Sequence, residues 1–121
     1  MKVNHSYYKV IFLVYYFSMM KKYINRSGAI EFLLGTNIVD FIEYESCPVF
    51  GSIKSISRRK ISHLITTCIK NEYIEEISEG NITYLMISFK GINYLNAFPK
   101  EISKITNNKK IEKNTYFYKK I

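Results

Sequence analysis

Cysteine is scarce in this chain, with only Cys47 and Cys68 among 121 residues, and histidine equally so, with only His5 and His63. Two cysteines make no disulfide scaffold, and the four residues together are a poor source of zinc ligands. A reduced intracellular setting is the default, and neither a metal site nor a cofactor is expected. The phosphate-cradling pattern G-x-x-x-x-G-K-[ST] is absent, which excludes ATP hydrolysis by such a loop. No catalytic residue is nominated. The N-terminal apolar run, Val10 to Met20 (VIFLVYYFSMM), is eleven residues long, whereas a membrane span needs about 20. Lys21-Lys22-Tyr23 follows it in place of the small residues of a cleavage site. The run therefore reads as a buried first helix, with a secretory or anchoring role as its rival and no membrane partner expected. No internal repeat is visible.

What is present is globular: 47% hydrophobic residues and 23% charged ones, in a length suited to one domain. The core is modest, because a chain this size buries about two-thirds of its unfolded surface. The net charge of +8 is unevenly placed. Residues 1–30 hold Lys2, Lys9, Lys21, Lys22 and Arg26 and no acid, while residues 99–121 hold seven lysines against Glu101 and Glu112. The middle, 31–98, has eight acids and six bases. Basic ends on a nearly neutral middle suit a polyanion, nucleic acid ahead of a membrane surface. A solvated lysine-rich tail in a lysine- and isoleucine-biased proteome accounts for the same numbers.

Along the chain, Ser27 is placed to cap a second helix, Gly28 to Leu34, which Gly35 stops in a left-handed turn. Thr36 or Asn37 caps a third, with Asp40 in its first turn, running to about Glu45. Cys47-Pro48 ends it, because the proline ring disfavours helix at the preceding residue. Val49 to Ser55 is a loop carrying Gly51 and Lys54. Ser57 then caps the clearest helix, in which Ile61, Leu64, Ile65, Cys68 and Ile69 recur on one face. The other face holds Arg58, Arg59, Ser62, His63, Thr66, Thr67 and Lys70 and no acid. Tyr73 to Ile77 and Ile82 to Ser88 are β-prone runs around the turn cluster Ser78-Glu79-Gly80-Asn81, a hairpin signal. A short helix from Phe89 to Phe98 precedes Pro99. Beyond it the chain reads as a lysine-rich tail whose Tyr116-Phe117-Tyr118 cluster can dock back. Helices ending in an amphipathic basic one, followed by a hairpin, give the order of a winged helix, an α+β fold that is mainly helical.

The stretch Ala29-Ile-Glu-Phe-Leu-Leu-Gly-Thr-Asn37, then Pro48-Val-Phe-Gly51, Lys54, and Ile61-Ser-His-Leu-Ile65 resembles the RQC domain of RecQ-family DNA helicases, Bloom-type eukaryotic members in particular. Thr83-Tyr-Leu-Met-Ile87 is similar to that family's second wing strand. The resemblance covers about residues 8–98 and suggests an RQC-like domain over 1–98 with a basic tail over 99–121. It departs at informative places. Leu34 stands where the family has a phosphate-binding arginine, while Gly35-Thr36 matches the Gly-Ser that follows. Ile53 stands at the second glycine of the loop, and the wing tip, Ser78 to Asn81, has no aromatic residue. The helicase motor motifs and zinc-binding cysteines of the family are not in the sequence. The chain thus reads as an orphan RQC-like module, or as a truncated or split reading frame whose motor is encoded elsewhere.

The resemblance implies a non-catalytic module that engages duplex or junction DNA through its backbone. It would serve a RecQ-like helicase motor or repair-protein partner in replication, recombination or repair, in the nucleus if the source is eukaryotic. From the residues themselves, Arg58, Arg59 and Lys60 at a helix start, backed by Lys54, are the foremost phosphate contacts, since helix starts bind anions. Their positive charge opposes the helix dipole, a cost that a bound anion relieves. Thr36 and Asn37 offer further donors, though helix capping explains them equally well, and His63 can reach DNA from the exposed face, against the plainer reading of a solvent histidine. Cys68 reads as core, Cys47 as a loop cysteine without a histidine base, and Glu75, Glu76 and Glu79 as a solvated wing edge. The alternative is a winged-helix protein-docking module without direct DNA binding, favoured by the missing arginine and the acidic wing.

Overall fold

The computed structural model describes residues 4–36, 47, 49–54 and 56–106. The helix expected from Thr36 or Asn37 to Glu45, Pro48, Ser55 and the Tyr116-Phe117-Tyr118 cluster lie outside the described residues. Within them run helices α1 (His5–Met19), α2 (Arg26–Leu34) and α3 (Arg58–Lys70), strands β1 (Ile74–Glu79) and β2 (Ile82–Ile87), and helices α4 (Phe89–Asn96) and α5 (Pro99–Thr106).

Helix α1 carries Val10, Ile11, Phe12, Leu13 and Val14 in succession, all buried. A helix that is apolar all round must be covered on every side, and α1 is the central post against which α2, α3, β2 and α4 pack. The Asn4 side chain closes its start by accepting the Tyr7 N–H at 3.1 Å. Lys21 ends the segment in the left-handed region (φ 57°), and its N–H and that of Lys22 return to the carbonyls of Ser18 and Phe17. No helix among the described residues is long and apolar enough to cross a membrane.

Helix α2 begins earlier than expected. Its cap is Asn25, whose side chain accepts the Gly28 N–H at 2.7 Å, so Ser27 lies inside the first turn. Gly35 stops it with φ 75° as the sequence suggests, but the glycine has a second reason. A Cβ there would lie 2.9 Å from Gly51 Cα, because the 49–54 loop docks on the end of α2. Gly51 N–H donates to the Phe32 carbonyl at 2.8 Å, which also takes the Gly35 N–H, and Ile53 N–H donates to the Leu33 carbonyl at 2.9 Å, one of the acceptors at the helix end. The Ile53 side chain is buried in the core, which accounts for an isoleucine where the resemblance expects glycine.

The strands pair antiparallel in the register Ile74↔Ile87 to Glu79↔Ile82 around the two-residue turn Gly80-Asn81. Leu85 N–H donates to the Ile24 carbonyl at 2.8 Å, tying the outer edge of β2 to the α1–α2 connection. Mostly helical elements followed by a two-stranded hairpin make a winged-helix α+β fold. The sequence after Pro99 differs from the tail expected of it: α5 docks Ile102, fully buried, into the core.

Candidate nucleic-acid interface

Helix α3 owes its position to its own period. Ile61, Ile65 and Cys68 are buried, with Leu64 and Ile69 half-buried at the margin, so Arg58, Arg59, Lys60 and His63 face outward. Ser57 caps it as expected, its hydroxyl accepting the Lys60 N–H at 3.3 Å. No acid lies in its first turn.

The structure divides the candidate residues between two flanks of this helix start. On one flank, Arg59, Lys60 and His63 line a cleft of about 680 Å³ with Ser6, Ser57 and the apolar Ile56 and Leu64. Its lining holds no carboxylate. On the other flank, Arg58 turns away from the cleft and ion-pairs with Glu31 of α2. The second carboxylate oxygen of Glu31 accepts the Thr36 hydroxyl at 2.6 Å. These two hydrogen bonds, Arg58 first and Thr36 second, hold the Glu31 carboxyl below the usual carboxylate range. Lys54 belongs to this flank too, its exposed chain passing over the Gly35–Gly51 contact, where a Cβ on Gly51 would meet Lys54 Cε at 3.1 Å. Asn37 lies outside the described residues.

Sequence reasoning passed over two residues that shape the surface. Glu31 is one. Arg26 is the other: its guanidinium donates to the Ser62 carbonyl at 3.0 Å and the Thr66 hydroxyl at 2.8 Å, and lies 3.6 Å from Glu76 on β1. Arg26 thereby joins α2, α3 and the wing. Ser62 and Thr66, expected to present hydroxyls on the open face of α3, serve it instead. The Thr67 hydroxyl donates to the His63 carbonyl at 3.0 Å, the back-bonding common for threonine in a helix. The wing acids are not simply solvated: Glu76 faces Arg26, and Glu79 accepts the Tyr84 hydroxyl at 2.6 Å. Burial pushes the Cys47 thiol up to about 11 and the Cys68 thiol up to about 12, so neither is a nucleophile near neutral pH. No group of histidine, cysteine or acidic residues among the described residues is arranged to hold a metal ion.

A mostly apolar cleft edged by Arg59, Lys60 and His63 at the start of α3, a helix followed in the chain by a β-hairpin, is a winged-helix arrangement. The family model of the RQC domain matches residues 8–114, nearly the whole chain. The chain belongs to the RQC family. A comparison with curated proteins found no match. The RQC domain is the winged-helix, non-catalytic module of RecQ helicases, and the matched span runs through α5, in keeping with the burial of Ile102. At the end of α2, Leu34 is half-buried against the core and the nearest charged side chain of that helix is the acid Glu31.

Proposed function

We propose that this RQC domain binds duplex or junction DNA through backbone phosphates, with the α3 cleft as its principal contact. The observation that carries the reading is the convergence of Arg59, Lys60 and His63 on one acid-free cleft at a serine-capped helix start. Amides at a helix start and the dipole behind them favour an anion in the same place as the two side-chain cations. Phosphate contacts fix register on the duplex without reading bases. The hydroxyls best placed on α3 to read groove edges, those of Thr66 and Thr67, are already engaged. In that role the domain positions DNA for a RecQ-like helicase motor or a repair protein in replication, recombination or repair, in the nucleus where the cell has one, and has no catalytic step of its own.

A second reading, a protein-docking module, draws on the acidic β1 strand and on the exposed Tyr23, Ile82 and Phe89. Salt separates the two. Binding through the cleft predicts a log affinity for duplex DNA that falls linearly with log salt, by about 0.9 per phosphate neutralised. A salt-insensitive complex with a protein partner, together with no measurable affinity for duplex DNA, would overturn the DNA reading.

A further inference from the structure

Arg58 opens the recognition helix, yet its guanidinium is committed to a carboxylate of the same chain. That carboxylate, Glu31, also takes the Thr36 hydroxyl at 2.6 Å, and the Lys54 chain lies against the same Gly35 turn. Two hydrogen-bond donors from different segments therefore converge on one anion, with a lysine stem alongside. An arginine fork and a hydroxyl are also the donors that receive a phosphate oxygen pair, since carboxylate and phosphate present similar acceptors to a guanidinium.

We propose that Glu31 is a built-in competitor for DNA phosphate, an intramolecular carboxylate that occupies the anion position between Thr36 and Arg58 and sets the affinity of the domain. The inference rests on the DNA-binding reading above. Glu31 competes well because it is tethered: its side chain is 22% exposed, against 56% for Arg58, and it sits on a helix whose end is fixed by the docked 49–54 loop. A phosphate arriving at this flank has to displace the carboxylate before Arg58 can turn to it. Arg59 and Lys60, with no acid in their cleft, carry no such handicap. The two flanks thus differ in kind: one is open to phosphate, and the other is filled from within.

The test uses the full chain as wild type, E31Q, E31A, R58A, E31Q/R58A and E75Q. Affinity for a labelled duplex of about 20 base pairs is read by fluorescence anisotropy between about 50 and 200 mM salt. Glu75 is an exposed acid on β1, away from the Glu31 cluster, so E75Q reports the effect of net charge alone. Release of Arg58 to one phosphate is expected to steepen the salt slope of E31Q and E31A by about 0.9, or about eightfold tighter binding at 0.1 M salt. R58A alone is expected to change little, because the guanidinium is already engaged, whereas R58A in the E31Q background removes the gain. If E31Q and E31A bind as wild type or no better than E75Q, the competitor is refuted while the DNA reading stands. Equal losses from R58A in both backgrounds refute it in the same way. Absence of duplex binding by every one of these proteins overturns both.

Discussion

Replacing Arg59 and Lys60 together by alanine tests the cleft most directly. Both side chains are exposed and line the same cleft, and neither is in an ion pair or side-chain hydrogen bond among the described residues, so the double substitution leaves the core untouched. Ser57 still caps the helix, because its bond is to a backbone N–H. Two lost phosphate contacts flatten the plot of log affinity against log salt by about 1.8, which at 0.1 M salt is roughly a 60-fold loss. The assay is anisotropy with two duplexes of unrelated sequence, and both are expected to weaken alike. The seven lysines after Pro99 bind polyanions too, but their contribution is common to wild type and mutant and cancels in the slope difference. Truncation at Pro99 is not a substitute, since it removes Ile102 from the core. A chain ending after Thr106 keeps α5 and sheds five of those lysines. A double mutant whose slope matches wild type refutes the cleft as the phosphate site, and weakening confined to one of the two sequences refutes readout through the backbone alone.

Other expectations concern the frame that holds this surface. Arg26→Ala strips the donor from the Ser62 carbonyl and the Thr66 hydroxyl at the α2–α3 joint and is expected to lower stability by about 1–3 kcal/mol, read as a melting-temperature loss of roughly 5–10 °C. Gly91→Ala places a Cβ 2.1 Å from the Tyr73 carbonyl oxygen, a backbone atom that already accepts the Ser88 hydroxyl. Such overpacking is expected to cost at least about 2 kcal/mol in denaturant unfolding, and a neutral result refutes the packing of α4 on the α3–β1 turn. The two cysteines predict an alkaline limit. Each buried thiol keeps its proton to about 11 or about 12, whereas an unfolded one loses it near about 8.5, so the folded state binds more protons above that pH and stability falls as pH rises. C47A/C68A is expected to flatten the decline of unfolding free energy above about pH 9. In the native wild type both thiols are expected to resist alkylation at neutral pH.

The fold was legible wherever a period or a punctuating residue carried it. Ile61, Ile65 and Cys68 announced α3 and its buried face, Ser57 its start and Gly35 the end of α2. The β-prone runs around Gly80 announced the hairpin. Asn25 and Ser27 are both good caps two positions apart, and propensity alone does not choose between them; the fold uses Asn25. By composition the residues after Pro99 are lysine-rich and polar. Phe98, Ile102 and Ile105 do stand at helical spacing, but so short a period set among lysines and polar residues does not outweigh that composition, and only the fold shows Ile102 buried in the core.

The candidate site was legible only in part, and the missing part has a physical cause. Arg59, Lys60 and His63 share a cleft because they are neighbours on one helix, which spacing reveals. Glu31 and Arg58 lie far apart in sequence, and no local rule joins them. They meet because Gly51 and Ile53 bond the 49–54 loop to the end of α2, delivering Ser57 and the start of α3 beside Glu31. The same docking explains why an acid is stable there: Glu31 faces two donors, one of them a cation that would otherwise oppose the α3 dipole. Leu34 leaves this turn without the cation that the resemblance implies there, and Glu31 engages Arg58 beside it. On the proposed reading, the burden of DNA contact therefore falls on the acid-free flank of α3, and Glu31→Gln is the change that would share it between the two.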